Sequence, residues 1–437
     1  MFRGRRLVLV GLDWVRPKDP PVSLANATIA AACSTVTDTS VVTLNCNEAS
    51  RPELMRRLED ELLDATSGQV ETPVVGIGAY VWAQPLLNDA VSVVKRVLGR
   101  DAHVVLGGPQ VSYAPATPWL LAAEYPQVDA FVRGGGERAM RALFTQSSPP
   151  DGYLGREDFD MGLKASGSLE DLPSPFLTGW LPAQSFLRWE TSRGCPFKCS
   201  FCQHKDVANR RIAVGSERVQ QEARWMVEQS ERGVLRDLAV VDPTFNAGSA
   251  YLDTLSHLSG LRAKLSLQCR LEMMTPAFSD AVARLRDTAD VTLEFGVQTI
   301  HKGEQRHIDR PNNARKVRHW LDRLNKDGTP YELSFIYGLP AQTLDSFKRT
   351  HEWATSVCDA HASGRAVAKF FPLMLLRGTK LHDNREDLGL VTSDQVQLTE
   401  RVGSGIPHVV ASRSFSVEDW VAMHTLASVS ERIFDGI

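Results

Sequence analysis

Short β-rich apolar runs alternate with helix-spaced segments along most of the 437 residues, which restricts the chain to α/β architectures built on parallel sheets. In residues 1–147 the runs are Leu7–Gly11, Ser40–Leu44, Pro73–Val81, His103–Leu106 and Val128–Val132. Helical spacing fills the gaps at Leu24–Cys33, Pro52–Ala65, Asn88–Leu98 and Glu137–Phe144. This predicts a doubly wound, Rossmann-like sheet, whose ligands would sit outside the carboxyl ends of its strands. Residues 186–389 repeat the pattern near Arg188–Ser192, Leu238–Asp242, Leu265–Arg270, Val291–Gln298, Tyr331–Gly338 and Ala366–Leu375. Helical segments there include Val219–Glu231, Phe278–Leu285, Ala314–Leu324 and Leu344–Val357, and together they predict a partial (β/α)6 barrel with function at the strands' carboxyl ends. Residues 148–185 read as a linker, broken by Ser147-Ser-Pro-Pro-Asp-Gly152 and Asp171-Leu-Pro-Ser-Pro175, with Phe176, Leu177 and Trp180 available to pin it to one domain. Residues 390–437 read as a short helical cap over the barrel mouth, its helix N-capped by Ser416 with Asp419 three residues on.

The densest chemistry is Thr191-Ser-Arg-Gly-Cys-Pro-Phe-Lys-Cys-Ser-Phe-Cys202, a C-x3-C-x2-C spacing just after the first barrel strand. Three thiolates, from Cys195, Cys199 and Cys202, hold three irons of a cubane and leave the fourth open to bind and activate a small molecule. Zinc is the rival, since His204 would complete C-x3-C-x2-C-x-H and a structural zinc site closes all four positions. Inert core thiols are usually scattered, as Cys33, Cys46, Cys269 and Cys358 are.

In the N-terminal part, three consecutive strands end in glycine: Gly76-Ile-Gly78-Ala-Tyr80-Val-Trp82, Gly107-Gly108-Pro109-Gln110-Val-Ser112 and Arg133-Gly134-Gly135-Gly136-Glu137. A single glycine after a strand usually makes only a turn. Three in a row at one sheet edge point to close backbone approach to a bulky ligand. The triple glycine has neither the G-x-G-x-x-G spacing after the first strand nor a P-loop lysine, so a nucleotide phosphate loop is disfavoured.

The Cys195–Cys202 loop, with Phe201 before its last cysteine, resembles the signature of radical S-adenosylmethionine (radical SAM) enzymes, and the order and spacing of residues 186–380 resemble that core throughout. The resemblance implies a [4Fe–4S] cluster whose open iron chelates SAM and whose electron cleaves it to a deoxyadenosyl radical. Carried over residue by residue, it implies SAM contacts at Phe201, Asp242 and Thr244 (in Asp242-Pro-Thr-Phe-Asn246), Gln298 (in Gly-Val-Gln298) and Arg310, and less securely at Glu272, with Arg270 an even case. Taken alone, Asp242 and Glu294 read equally well as caps or surface acids, and Arg310 as a surface charge. Leu-Gly-Gly-Pro at 106–109 and Arg-Gly-Gly-Gly-Glu at 133–137 resemble the cobalamin-binding domain that precedes the barrel in the cobalamin-dependent subgroup. That implies cobalamin contacts from Gly76, Gly78, Tyr80, Trp82, Gly107, Gly108, Pro109, Gln110, Ser112, Gly134, Gly135, Gly136 and Glu137. The subgroup usually has Glu where this chain has Gly135. No histidine precedes His103, so none follows the first strand to ligate cobalt.

The implied activity is a cobalamin-dependent radical SAM C-methyltransferase that moves a methyl group from SAM, via methylcobalamin, to an unactivated carbon. The rivals are a non-methylating oxidation, ring contraction or cyclisation on the same cofactors, and a cobalamin or iron–sulfur sensor; no DNA-binding motif or signalling domain supports the latter. A formal net charge of −3 gives no electrostatic case for nucleic acid. No apolar run reaches membrane-spanning length, and the N-terminus reads as a strand, not a signal peptide. Seven cysteines with three clustered fit a reducing cytoplasm better than a disulfide framework. Few residues remain outside the two cofactor domains, which favours a small molecule, amino acid or peptide intermediate, as in natural-product assembly. The expected partner is a flavodoxin- or ferredoxin-like electron donor, and the expected state a monomer. Tyr80, Trp82, His204, Tyr337 and His382 lie near predicted loop mouths, with core packing the better reading of Trp82 and Tyr337.

Overall fold

A computed structural model of the chain describes all residues except Glu48, 69–70, 116–117, 157–163, 205–211, 394–405 and 435–437. It divides into two compact units, Met1–Gln184 and Ser185–Ile437.

In the first unit the strands are β1 (Leu7–Asp13), β2 (Thr39–Asn45), β3 (Val74–Gly78), β4 (His103–Gly107), β5 (Ala130–Val132) and β6 (Tyr153–Gly155). The helices are α1 (Leu24–Cys33), α2 (Arg51–Ala65), α3 (Leu87–Val97), α4 (Pro109–Ser112), α5 (Pro118–Glu124) and α6 (Gly136–Thr145). The sheet order is β2-β1-β3-β4-β5-β6, parallel except for the antiparallel β5–β6 edge. Every side chain of β1 is buried, because a parallel strand covered by helices on both faces has no solvent side. One face packs Val8, Val10, Val75, Val104 and Leu106 with Leu54, Leu58 and Leu62 of α2 and Val91 and Val94 of α3. The other packs Leu7, Leu9, Val74 and Val105 with Ala30 and Cys33 of α1 and Ala139, Met140 and Leu143 of α6. Strand order reverses between β1 and β3, which is where such sheets open a ligand crevice at their carboxyl edge.

The expected linker is not a free tether. Its described residues up to Gln184 belong to the first unit, where β6 extends the sheet and Ala165 bridges Gly134 in parallel. Leu172, Phe176 and Leu181 are buried, Trp180 Nε1 donates to Ser34 Oγ at 3.2 Å, and Leu177 stays exposed. These apolar residues are spaced by Pro and Ser, so no helical or strand period announced their burial.

The second unit contains β7 (Phe186–Trp189), the small β8–β9 pair (Ser192–Arg193 with Ile212–Ala213), β10 (Asp237–Val240), β11 (Lys264–Cys269), β12 (Asp290–Gln298), β13 (Tyr331–Tyr337) and β14 (Ala366–Pro372). Between and after them run α7 (Ser216–Glu231), α8 (Tyr251–His257), α9 (Pro276–Leu285), α10 (Lys302–His307), α11 (Ala314–Asp327), α12 (Leu344–Asp359) and α13 (Lys380–Asp383). The strands β7-β10-β11-β12-β13-β14 form one six-stranded parallel sheet in chain order. Alternation is strict in β12 and β13. Val291, Leu293, Phe295 and Val297, with Tyr331, Leu333, Phe335 and Tyr337, are buried, while Glu294, Gly296 and Gln298 on the opposite face are only half-buried.

Helix α14 (Val417–Phe434) follows the β15–β16 pair (Val391–Thr392 with Val409–Ala411) and packs on β13, β14 and α12. Trp420 and His424 of α14 meet Tyr337, whose ring also contacts Phe347 of α12. α14 therefore lies beside α12, and its Trp420 and His424 reach Tyr337, the last residue of β13. Residues 394–405 of the expected cap lie outside the described residues.

Gly135 gives a direct test of this packing. A Cβ there would run into Ser166 O and come within 2.8 Å of Gly167 Cα, whereas one on Gly303, in α10, would meet nothing within 4 Å. Gly135→Ala should lower unfolding free energy by about 1–3 kcal/mol, and Gly303→Ala should raise it by about 0.4–1 kcal/mol, both read from urea denaturation.

Candidate functional site

The cysteine loop leaves β8 and is fixed from three directions. Ser200 N donates to Ile308 O at 3.0 Å and Ser200 Oγ to His307 O at 3.1 Å, which ties the loop to the end of α10. Leu381 N donates to Ser200 O at 3.0 Å, and Gln203 Nε2 to Arg377 O at 2.8 Å. From the strand side, Asp242 accepts from Thr191 and Ser192.

Cys195 and Cys199 are buried and Cys202 is half-buried. Each sulfur has a polar neighbour: Cys195 Sγ lies 3.6 Å from Thr244 Oγ1, Cys199 Sγ accepts from Arg310 Nη1 at 3.4 Å, and Cys202 Sγ accepts from His204 N at 3.4 Å. Burial pushes the Cys202 thiol up to about 11. The neighbouring Cys199 and Cys195 add to that rise, while the His204 N–H and Arg310 oppose it. The Cys202 thiol thus lies within electrostatic reach of Cys195, Cys199 and Arg310. Among the described residues, no three His, Cys, Asp or Glu side chains close on a point tightly enough to hold a single metal ion.

Arg310 and Gln298 meet over Gly296. Arg310 Nη2 donates to Gly296 O, and its Nε is buried without a partner. Gln298 ends β12 at φ 68°, a left-handed conformation for a non-glycine residue, and the pairing register with β13 slips between Gly296 and Gln298. A Cβ on Gly296 would run into Gln298 Nε2 and come within 3.4 Å of Arg310 Nη2, so glycine makes room for both side chains. Strain held at a strand's carboxyl end beside an orphaned buried guanidinium atom is characteristic of a ligand site.

Arg270, like Glu272, is a candidate that the sequence left undecided. It is 6% exposed, stacks over the Phe197 ring at 3.9 Å, and donates from Nε to Glu272 Oε2 (3.2 Å) and from Nη2 to Pro311 O (3.2 Å). Burial lowers its pKa, Arg310 lowers it further, and Glu272 opposes both. The other Glu272 oxygen, Oε1, is buried and unpaired. Phe201 is half-buried in the loop. Of the remaining loop-mouth candidates, Tyr337 is core, with its hydroxyl 2.7 Å from His424 Nδ1; His382 Nδ1 lies 3.5 Å from Asp383, and His204 is exposed.

In the first unit the three glycine loops are braced into one edge. Ala79 N donates to Gly107 O at 2.7 Å, Gln110 N to Ala79 O at 3.1 Å, and Gly134 N to Ser112 Oγ at 2.9 Å. Gly108 adopts φ 97° with Ala79 O only 3.0 Å from where a Cβ would lie, so close loop-to-loop packing requires it. Pro109 opens α4, Gln110 and Glu137 are buried, and Gly136 opens α6. Tyr80 and Trp82 stack at 4.7 Å and 4°, Tyr80 over Gly78, while Trp82 Nε1 donates to Leu12 O at 3.0 Å. Two expectations need correction. Gly76 lies inside β3 against Leu9 and Met140, not at the edge. Gly134 and Gly135 lack side chains because residues 165–167 pack on them, and this clearance is filled by the chain itself.

Residues 189–354 match the family model of the radical SAM superfamily. The chain is 28% identical over 320 residues to the cobalamin-dependent radical SAM methyltransferase TokK of Streptomyces tokunonensis, covering 65% of this chain and 45% of that protein. It is 27% identical over 325 residues to the 2-(S-pantetheinyl)-carbapenam-3-carboxylate methyltransferase of Streptantibioticus cattleyicolor, covering 67% and 46%. The matched region thus spans less than half the length of either relative. The radical SAM methyltransferase TsrM of Kitasatospora setae, solved with tryptophan and a SAM analogue, superposes with TM-score 0.70 at 14% identity, covering 96% of this chain and 89% of that one. The cobalamin-dependent SAM radical enzyme OxsB superposes with TM-score 0.67 at 12% identity, covering 96% and 66%. At these identities the superpositions establish the fold.

Removing Arg270 would leave Glu272 buried without its cation. Arg270→Met should destabilise the chain by about 3 kcal/mol, and adding Glu272→Gln should recover part of that loss in urea unfolding.

Proposed function

We propose that this chain, whose residues 189–354 match the radical SAM superfamily, is a cobalamin-dependent radical SAM methyltransferase. The observation that carries the reading is the convergence on the cysteine loop of two buried, unpaired polar atoms, Arg310 Nε and Glu272 Oε1, with the strained Gln298. The donor set fits the implied cofactors. Cys195, Cys199 and Cys202 are the thiolates for a [4Fe–4S] cluster, with Arg310 donating to Cys199. Arg310 Nε offers a donor to the carboxylate of SAM, and Glu272 Oε1 offers an acceptor to its ammonium or ribose. Gln298 and Thr244 complete the polar rim. For cobalamin, the braced loops of Gly107–Ser112 and Gly134–Glu137 and the flat Tyr80–Trp82 stack stand at the sheet's carboxyl edge.

When bound, the cluster supplies the electron that cleaves SAM, and cobalamin relays a methyl group. The residues' own work is to hold, orient and shield. Arg310 and Arg270 offset the thiolate charge, and Gly296 admits Gln298 and Arg310 side by side. Burial of Cys195 and Cys199 keeps water off the reacting centre. The relatives named as methyltransferases favour methyl transfer over a non-methylating radical outcome. The substrate class we propose is a small molecule, amino acid or peptide intermediate of natural-product assembly, with reduction by a flavodoxin- or ferredoxin-like donor and a cytoplasmic monomer as the working state. No helix among the described residues is long and apolar enough to cross a membrane.

The test is metal content after anaerobic reconstitution with iron, sulfide and hydroxocobalamin. The reading predicts about four irons and one cobalamin per chain, and a Cys195→Ala/Cys199→Ala/Cys202→Ala variant that keeps cobalamin while losing iron. Zinc in place of iron, or iron without cobalamin, would contradict it.

A further inference from the structure

We infer that Asp242 is a positioning residue that sets the geometry of the cysteine loop through hydrogen bonds, and not a contact to a cofactor. The inference rests on the cluster assignment made above and deepens it. Asp242 follows β10 and is fully buried. Its Oδ1 accepts from Thr191 N at 2.7 Å and Ser192 N at 2.9 Å, and its Oδ2 accepts from Thr191 Oγ1 and Ser192 Oγ, both at 2.6 Å. Four donors engage a carboxylate that offers roughly four lone-pair directions. The bonded residues are the last turn of chain before Gly194 and Cys195, so the carboxylate fixes where the loop begins.

The same segment grips the loop again further on. Thr244 Oγ1 stands 3.6 Å from Cys195 Sγ. The Asn246 side chain exchanges two hydrogen bonds with the Arg270 backbone, donating to its carbonyl at 3.0 Å and accepting from its N–H at 2.9 Å. Arg270 in turn places its guanidinium 3.9 Å over Phe197, two residues before Cys199. Residues 242–246 therefore hold the loop at its entry through Asp242 and at its middle through Asn246 and Arg270.

The chemistry of the four donors makes the role separable. Two are backbone N–H groups that can only donate, and two are hydroxyls that can reorient to accept. An asparagine at 242 keeps both backbone bonds on its carbonyl oxygen and presents its NH2 to the two hydroxyls. An alanine removes the acceptor that all four donors share in a buried site.

The experiment reconstitutes the full chain with iron and sulfide and reads three quantities. These are iron per chain, the EPR spectrum of the reduced cluster with and without SAM, and far-UV circular dichroism. Asp242→Asn should retain wild-type iron, the wild-type spectrum and its change on adding SAM. Asp242→Ala should stay folded, lose most of its iron, and show an altered spectrum in what remains. If Asp242→Ala does not fold, Thr191→Val/Ser192→Ala decides: loss of iron supports the inference, and full iron with an unchanged spectrum overturns it. The inference is also overturned if Asp242→Ala keeps full iron and the wild-type spectrum, or if Asp242→Asn loses as much iron as Asp242→Ala. Full iron in both variants with the SAM-induced change abolished would make Asp242 a cofactor contact and overturn it too. A wild-type chain that takes up no iron would defeat the cluster assignment itself, which is a different failure.

Discussion

Parallel strand pairing is the constraint on which both units depend. Because β7, β10, β11, β12, β13 and β14 all run in one direction, the residues that follow them emerge at the same edge. Thr191 and Ser192 after β7, Asp242 to Asn246 after β10, Arg270 and Glu272 after β11, and Gln298 at the end of β12 are far apart in sequence yet become neighbours. The first unit uses the same device, with Ala79, Gly107, Gln110, Ser112 and Gly134 bonded to one another across three successive strand ends. Parallel sheets must be covered on both faces, and the two separate apolar clusters of the first unit are that requirement met.

The electrostatics of the cysteine loop then follow from burial. Burial disfavours the charged form of a thiol, and it pushes the Cys202 thiol up. Arg310 and Arg270 are the local counterweight, and each costs something to keep there: Arg270 is held by Glu272 and by the Phe197 face, Arg310 by Gly296 O and Cys199 Sγ. Neither guanidinium is placed by its own strand alone. The loop and the strand ends hold each other, so a cofactor would meet a preformed site.

Much of this was legible in the sequence because it obeys period and spacing. Leu24–Cys33 is a helix with the predicted bounds, and β12 and β13 begin within a residue of the runs that announced them. The cysteine spacing named its own loop. What was hidden depends on contacts between distant residues. No local pattern says that Gly135 is a glycine because Ser166 lies on it, or that Leu172, Phe176 and Leu181 are buried in the first unit. Thr191 and Ser192 look like ordinary strand-end polars until a buried carboxylate arrives from 50 residues further on. Helix α14 carried a clear helical spacing, but which surface it covers was decided by Tyr337 and Phe347, which no reading of residues 415–434 contains.

The central claim is that one chain joins SAM cleavage at the cysteine loop to methyl relay through cobalamin. The most direct measurement is mass spectrometry of the products formed when the reconstituted chain is reduced with methyl-deuterated SAM. The account predicts both 5′-deoxyadenosine and S-adenosylhomocysteine, with the deuterated methyl group recovered on cobalamin. Absence of 5′-deoxyadenosine, or a cobalamin that carries no deuterium, would contradict it.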